Sequence, residues 1–269
     1  TLSSGTVSRM KKQHTSHSIE VPLTTPLFRG LKHLRIALVG MPGSGKSTLF
    51  NAVSATSIHT GELAGTHRKY GECQVQIGLD EAQLVDLPSI QSLNNLPHGD
   101  LVALQYLLWG DQLPLVSAHE QGAPPAPFAP PDVIIQVVDA TALERHLELT
   151  IELSQIGKPM VLALNMMDEA RKKGMHINSL TLSKQLGIPV VPTVALMGHG
   201  ISELFTAAAN AVREGEYPHP QRPSKHIIKA LQPLRKTLHE PELQKAFRVP
   251  YSFLLMQVAA NDSYFMDEL

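Results

Sequence analysis

Leu34-Arg35-Ile36-Ala37-Leu38-Val39-Gly40-Met41-Pro42-Gly43-Ser44-Gly45-Lys46-Ser47 is the stretch on which the rest of the chain turns. Leu34 to Val39 is a short apolar run ending in glycine, which reads as a buried strand. Ser47 to Val53 reads as a helix. Between them lies Gly-x4-Gly-Lys-Ser, and strand, glycine loop and helix together are the context of a phosphate-binding loop. Glycines let backbone N–H groups wrap an anion without Cβ clashes, and the N–H groups opening the helix face it. The expected phosphate-binding residues are Gly40, Met41, Pro42, Gly43, Ser44, Gly45, Lys46, Ser47 and Thr48. Lys46 reaches the β- and γ-phosphates, and the Ser47 hydroxyl ligates Mg²⁺. A mere glycine turn before a helix is the plain alternative, and the flanking elements weigh against it.

Further motifs recur downstream at strand ends. Gln83-Leu84-Val85-Asp86 reads as a strand closing in a carboxylate, and Asp86-Leu87-Pro88-Ser89 follows. A carboxylate there holds Mg²⁺, and the backbone N–H at position 89 faces a γ-phosphate. Asn165-Met166-Met167-Asp168 follows the apolar run Met160 to Leu164. Asp168 there accepts from guanine N1–H and its exocyclic amine, a donor pair adenine lacks, so GTP or GDP is the expected nucleotide. Asn165 is expected to stitch this loop to the phosphate loop, and Met166 to lie along the base. The plain alternative is an Asn/Asp helix cap. Thr193-Val194-Ala195-Leu196 would present a backbone N–H to guanine O6. Thr66 is the expected switch threonine on Mg²⁺ and the γ-phosphate, with Thr60 as second choice. The expected metal ligands are thus Ser47, Thr66 and Asp86, with Lys46 and Thr66 as the catalytic pair.

Around these motifs, strands at Cys73 to Ile77, Val133 to Val138 and Val190-Val191 alternate with helices at 96–110, Leu143 to Ile156 and Ile201 to Val212. That alternation predicts an α/β fold with a mostly parallel sheet, with ligands at the carboxyl edge of the strands. Residues 1–30 read as a loose extension, residues 57–71 as a mobile loop, and the proline-rich 111–131 as an inserted surface loop. The pattern changes after Glu214, so 31–214 is read as one domain and 215–269 as a small all-helical one.

Composition excludes several classes. Apolar residues make up 43% of 269, enough for a core, and the net charge of -1 leaves no basic excess for nucleic acid. The lone Cys73 cannot form an internal disulfide, and it fits a reducing setting as a small buried residue. The thirteen histidines show no metal-ligand spacing. No run is long and apolar enough to cross a membrane. The chain begins at Thr1 and stops inside a helical pattern, so it reads as a piece of something longer.

Together these residues resemble the cytosolic part of the bacterial ferrous iron transport protein B family, from about Arg35 to Val212. The similarity is carried by Gly45-Lys46-Ser47-Thr48-Leu49-Phe50-Asn51, Leu84-Val85-Asp86-Leu87-Pro88, Val137-Val138-Asp139-Ala140, Leu143-Glu144-Arg145, Leu162 to Asp168 and Gly198-His199-Gly200-Ile201. Methionine after Asn165 is typical of that family and unusual in other GTPases. The resemblance implies a Ras-like G domain followed by a small helical domain that tunes GDP affinity. It also implies a membrane domain for Fe²⁺ as partner, a place at the cytoplasmic face of the inner membrane, and a possible homo-oligomer. Three positions depart from the pattern. Gly43 replaces an asparagine that helps hold an activating K⁺, Ser89 replaces a glycine, and Val194 replaces a serine.

The glutamine that orients water in Ras-like enzymes would stand at position 90, which is isoleucine. Slow intrinsic hydrolysis is therefore expected. A regulatory module that binds nucleotide with little hydrolysis is the second reading. A P-loop small-molecule kinase is the third, but it leaves Asn165-x-x-Asp168 unexplained and needs an arginine-rich lid in a chain where arginine is sparse.

Overall fold

The computed structural model describes residues 34–54, 59–62, 69–78, 80–94, 96, 101–109, 130–219, 224–238 and 250–268. Leu34–Gly40 forms β1, buried along its whole length except at Arg35. Lys46–Val53 forms α1 directly after the glycine loop. There follow β2 (His59–Glu62), β3 (Lys69–Ile77), β4 (Asp80–Asp86), α2 (Leu101–Trp109), β5 (Val133–Asp139), α3 (Leu143–Ser154) and β6 (Met160–Asn165). Then come α4 (Met167–Lys172), α5 (Ser179–Leu186), β7 (Val190–Pro192) and α6 (Ile201–Glu214).

The strands form one seven-stranded sheet in the order β2-β3-β4-β1-β5-β6-β7. The five from β4 to β7 are parallel, and β2 and β3 add an antiparallel edge. Successive side chains of a strand point to opposite faces, so a strand covered on both sides must be apolar throughout. β1 obeys this: Ile36 and Leu38 join Leu49, Phe50, Leu204 and Phe205 on one face. Ala37 and Val39 join Leu104, Leu107, Leu149 and Leu153 on the other. α1 and α6 therefore cover one face, and α2 and α3 the other. Burying each such aliphatic side chain contributes roughly 1.5–3 kcal/mol.

One expectation is corrected. Residues 57–71 are not one loop, because β2 and the start of β3 pair from His59↔Glu72 to Glu62↔Lys69. An edge strand is defined by its backbone pairing and needs no apolar alternation, so its sequence of His, Thr, Gly and Glu carries no periodic signal. Helices α4 and α5 add to the elements that the sequence pattern predicts. Of the 111–131 stretch only Pro130 and Pro131 are described, and the 1–30 extension lies outside the described residues.

Beyond Glu214 the described regular elements are all helical: α7 (Lys225–Ala230), α8 (Gln232–Thr237), α9 (Tyr251–Ala259) and α10 (Ser263–Glu268). At α9 and α10 this part packs against α3. Phe253, Leu254 and Phe265 lie in the same apolar cluster as Leu149, Leu153 and Ile156. Pro250 sits so close to Gly157 that a Cβ there would lie 2.8 Å from its ring. Asp262, 1% exposed, caps α10 by accepting from the N–H groups of Tyr264 and Phe265. Among the described residues no helix is long and apolar enough to cross a membrane.

Candidate functional site

The loop after β1 bends back on itself because Gly43 and Gly45 both adopt φ +84°, a conformation L side chains rarely hold. A side chain is excluded at Gly40 and Gly45 for a second reason. A Cβ on Gly40 would lie 2.7 Å from Ser44 Oγ and 2.9 Å from the Val137 carbonyl oxygen, and one on Gly45 would lie 2.3 Å from Asn165 Nδ2. Gly43 has nothing within 4 Å of such a Cβ, so only its backbone angle demands glycine. The loop is thus a backbone cradle, open outward at Pro42 and Gly43. Ser44 Oγ is buried without a hydrogen-bond partner among the described residues, an orphaned polar atom inside the cradle. Ser47 and Thr48 stand exposed at the start of α1.

Lys46 is only 5% exposed and its ammonium lies 2.5 Å from Asp86 Oδ1. The pairing of β1 with β4, Leu38 beside Asp86, brings this carboxylate to the loop. After Asp86 the chain stays tied to β1: Leu87 N–H donates to the Leu38 carbonyl and Ile90 N–H to the Gly40 carbonyl, both at 3.2 Å. Ile90 is fully buried, so its side chain has no access to a water in the site. Ser89 between them is half-buried.

Asn165 ends β6 beside Asp139 at the end of β5. It is 2% exposed and joins three loops. Its Nδ2 donates to the Ser44 carbonyl at 3.0 Å. Its Oδ1 accepts from Ala195 N–H at 2.9 Å and from Thr193 Oγ at 3.4 Å. Phosphate loop, β6 loop and β7 loop are therefore one hydrogen-bonded unit. Met166 follows at φ 60°, an uncommon angle for a non-glycine residue, and its methyl lies close over Gly45. That turn places Asp168, half-buried, in the first turn of α4. Within the Thr193–Leu196 loop, expected to offer a backbone N–H to guanine O6, the Ala195 N–H is given to Asn165. Leu196, 84% exposed, is the next residue of that loop.

Thr66 lies outside the described residues. Of Thr60 only the backbone is described, in β2 opposite Gly71. Asp139 accepts from Thr141 N–H at 2.7 Å and caps the short turn before α3. Cys73 is 2% exposed, and burial, with Asp86 and Glu72 nearby, pushes its thiol up to about 11, so it remains a protonated core residue. Sequence reading missed Glu152. It lies 58 to 60 residues from the Ser92–Asn94 segment that it binds, and no local motif announces it.

A glycine cradle at a strand-helix junction, a carboxylate on the neighbouring strand and an Asn-x-x-Asp loop beside them define a P-loop G domain. The family model for ferrous iron transport protein B matches residues 34–120 and 127–208. The chain belongs to this family. It is 36% identical over 181 residues to the Fe(2+) transporter FeoB of Escherichia coli strain K12, covering 66% of this chain and 21% of that protein. It is 37% identical over 172 residues to an Fe(2+) transport protein A/FeoB fusion protein of Porphyromonas gingivalis, covering 64% of this chain and 18% of the fusion. The chain thus spans about a fifth of the curated relatives it matches. Among solved structures, the cytosolic domain of T. maritima FeoB in a GMPPNP form superposes with a TM-score of 0.73 at 26% identity, covering 87% of this chain and 84% of that one. A point mutant of S. thermophilus NFeoB bound to GDP gives 0.69 at 30% identity, covering 88% and 83%.

Proposed function

We propose that this chain is the GTP-binding, slowly GTP-hydrolysing cytosolic domain of a bacterial ferrous iron transporter, regulating Fe²⁺ passage through a membrane domain at the inner membrane. The observation that carries the reading is Asn165, which ties the phosphate cradle to the loop bearing Asp168. Buried amide bonds of this kind hold base and phosphate recognition in one fixed relation. The residues fit a nucleoside triphosphate. The cradle from Gly40 to Ser47 presents backbone, and the orphaned Ser44 Oγ and exposed Thr48 lie along it. Lys46 neutralises phosphate charge once it leaves Asp86. Asp168, with Met166 and the Val194–Leu196 loop beside it, recognises guanine. Ser47, Asp86 and Thr66 would hold Mg²⁺, which when bound neutralises charge between the β- and γ-phosphates. Ser89 supplies a backbone N–H to the γ-phosphate. Buried Ile90 leaves no side chain there to orient the attacking water, so hydrolysis is slow without a partner.

The same isoleucine favours the second reading, a nucleotide-responsive module with little turnover. Single-turnover assays separate the two. The division into a G domain over 31–214 and a helical regulatory domain over 215–269 belongs to this proposal as well.

Titration with GDP, GTP and ATP tests the base assignment: guanine nucleotides bind and ATP does not. In Asp168→Asn, guanine affinity falls about 100-fold, since an amide cannot accept from both guanine donors. Equal binding of ATP and GTP by the unaltered protein overturns the reading.

A further inference from the structure

Glu152 on α3 uses both carboxylate oxygens on one short segment of distant sequence. Oε1 accepts from Ser92 Oγ at 2.9 Å and from Asn94 Nδ2 at 3.0 Å, and Oε2 accepts from Leu93 N–H at 2.6 Å. Asn94 N–H closes the segment on itself by donating to Ser92 Oγ at 3.0 Å. Bonds to an ionised acceptor are roughly twice as strong as neutral ones. Beneath them Leu93 is fully buried in the cluster that holds Leu149 and Leu153 of α3.

The other end of this stretch is also fixed, by Ile90 N–H on the Gly40 carbonyl. Ser89 therefore sits beside a tie to the phosphate loop on one side and within three residues of a carboxylate clamp. Its own N–H donates to no atom among the described residues. Serine lacks the backbone freedom glycine would have at this position, so it cannot swing widely to find a phosphate. Its N–H must be placed beforehand by the anchors around it.

We propose that Glu152 is a positioning residue for recognition of the third phosphate: through Ser92, Leu93 and Asn94 it holds the segment that presents the Ser89 N–H. The proposal rests on the G-domain reading. Glu152 touches no phosphate, so its effect is selective for the triphosphate and leaves the diphosphate nearly untouched.

The test is titration of the full chain with fluorescent GDP and with a non-hydrolysable GTP analogue. In Glu152→Ala the analogue weakens about tenfold while GDP changes less than about twofold, as expected for a contact only the triphosphate makes. Glu152→Gln keeps an acceptor for Ser92 and Asn94 and restores part of the preference. Asn94→Ala, at an exposed residue with no part in the core, falls between the unaltered protein and Glu152→Ala. It also decides the question if Glu152→Ala unfolds. Parallel weakening of both nucleotides marks a structural role and overturns the proposal, as does an unchanged ratio. Tighter triphosphate binding overturns it too, by making the clamp a restraint. If the unaltered protein binds neither nucleotide, the G-domain reading itself has failed and this proposal falls with it. If it binds both and the variants keep its preference, only the role of Glu152 fails.

Discussion

The two sides of the phosphate loop are built differently. On the side of β6 and β7, one buried asparagine makes neutral hydrogen bonds to two neighbouring loops and so ties three together. On the side of β4, the ties are charged: Lys46 to Asp86, and Glu152 to the segment beyond it. Neutral amide bonds hold fixed geometry and gain little from exchange. Charged pairs can be traded for a ligand of matching charge. On the proposed function, the first side would ask which base is present, and the second how many phosphates it carries.

The comparison breaks most sharply at Lys46. Lys46→Ala should lower GTP turnover about 100-fold or more, by analogy with the loss of one charge-stabilising donor. Equal rates would sink the assignment of the loop. Next comes Asn165→Ala, which leaves the Ala195 N–H and the Ser44 carbonyl without this partner. Each buried unsatisfied group costs about 1–3 kcal/mol, so the melting temperature should fall and GDP and GTP affinities should drop together. Loss of triphosphate binding alone would contradict a shared role for that side.

A smaller effect concerns cations. Gly43 carries no side chain to coordinate one, so turnover in K⁺ and in Na⁺ should agree within about twofold. A large K⁺-specific rise would refute this. The smallest effect lies away from the site, at His146. It is 4% exposed, and burial holds its imidazole below the ordinary 6.5, outweighing nearby Asp139. A depressed pKa means the unfolded chain binds the proton more readily. Its contribution is therefore full above pH 6.5 and is lost as pH falls through the lower folded value. Urea unfolding at pH 7.5 and 5.5 should show that loss, and His146→Leu should reduce it.

Much of this was legible in the sequence because it is local. Leu34 to Lys46 spells strand, cradle and helix in unbroken order, and β5 and β6 are apolar throughout except at Gln136, Asp139 and Asn165. Some missed elements were legible as well. Asn178 caps α5 by accepting from Thr181 N–H, and Gly187 ends it at φ 68°, both ordinary helix signals. α4 has six residues and grows out of the Asn-x-x-Asp motif, too short for a period to show. β2 is a strand only because β3 lies beside it. The Asn165 bond to Ala195 and the Glu152 clamp join residues 30 and about 60 apart in sequence. Such pairings depend on how the layers stack, which no window of residues contains.

The Lys46–Asp86 pair also sets an order of events. A metal ion arriving alone meets a carboxylate that already has its cation, 2.5 Å away. On the proposed reading, a phosphate arriving at the loop would compete for Lys46 and release Asp86. On that reading, the metal site would thus open with the nucleotide rather than wait for it.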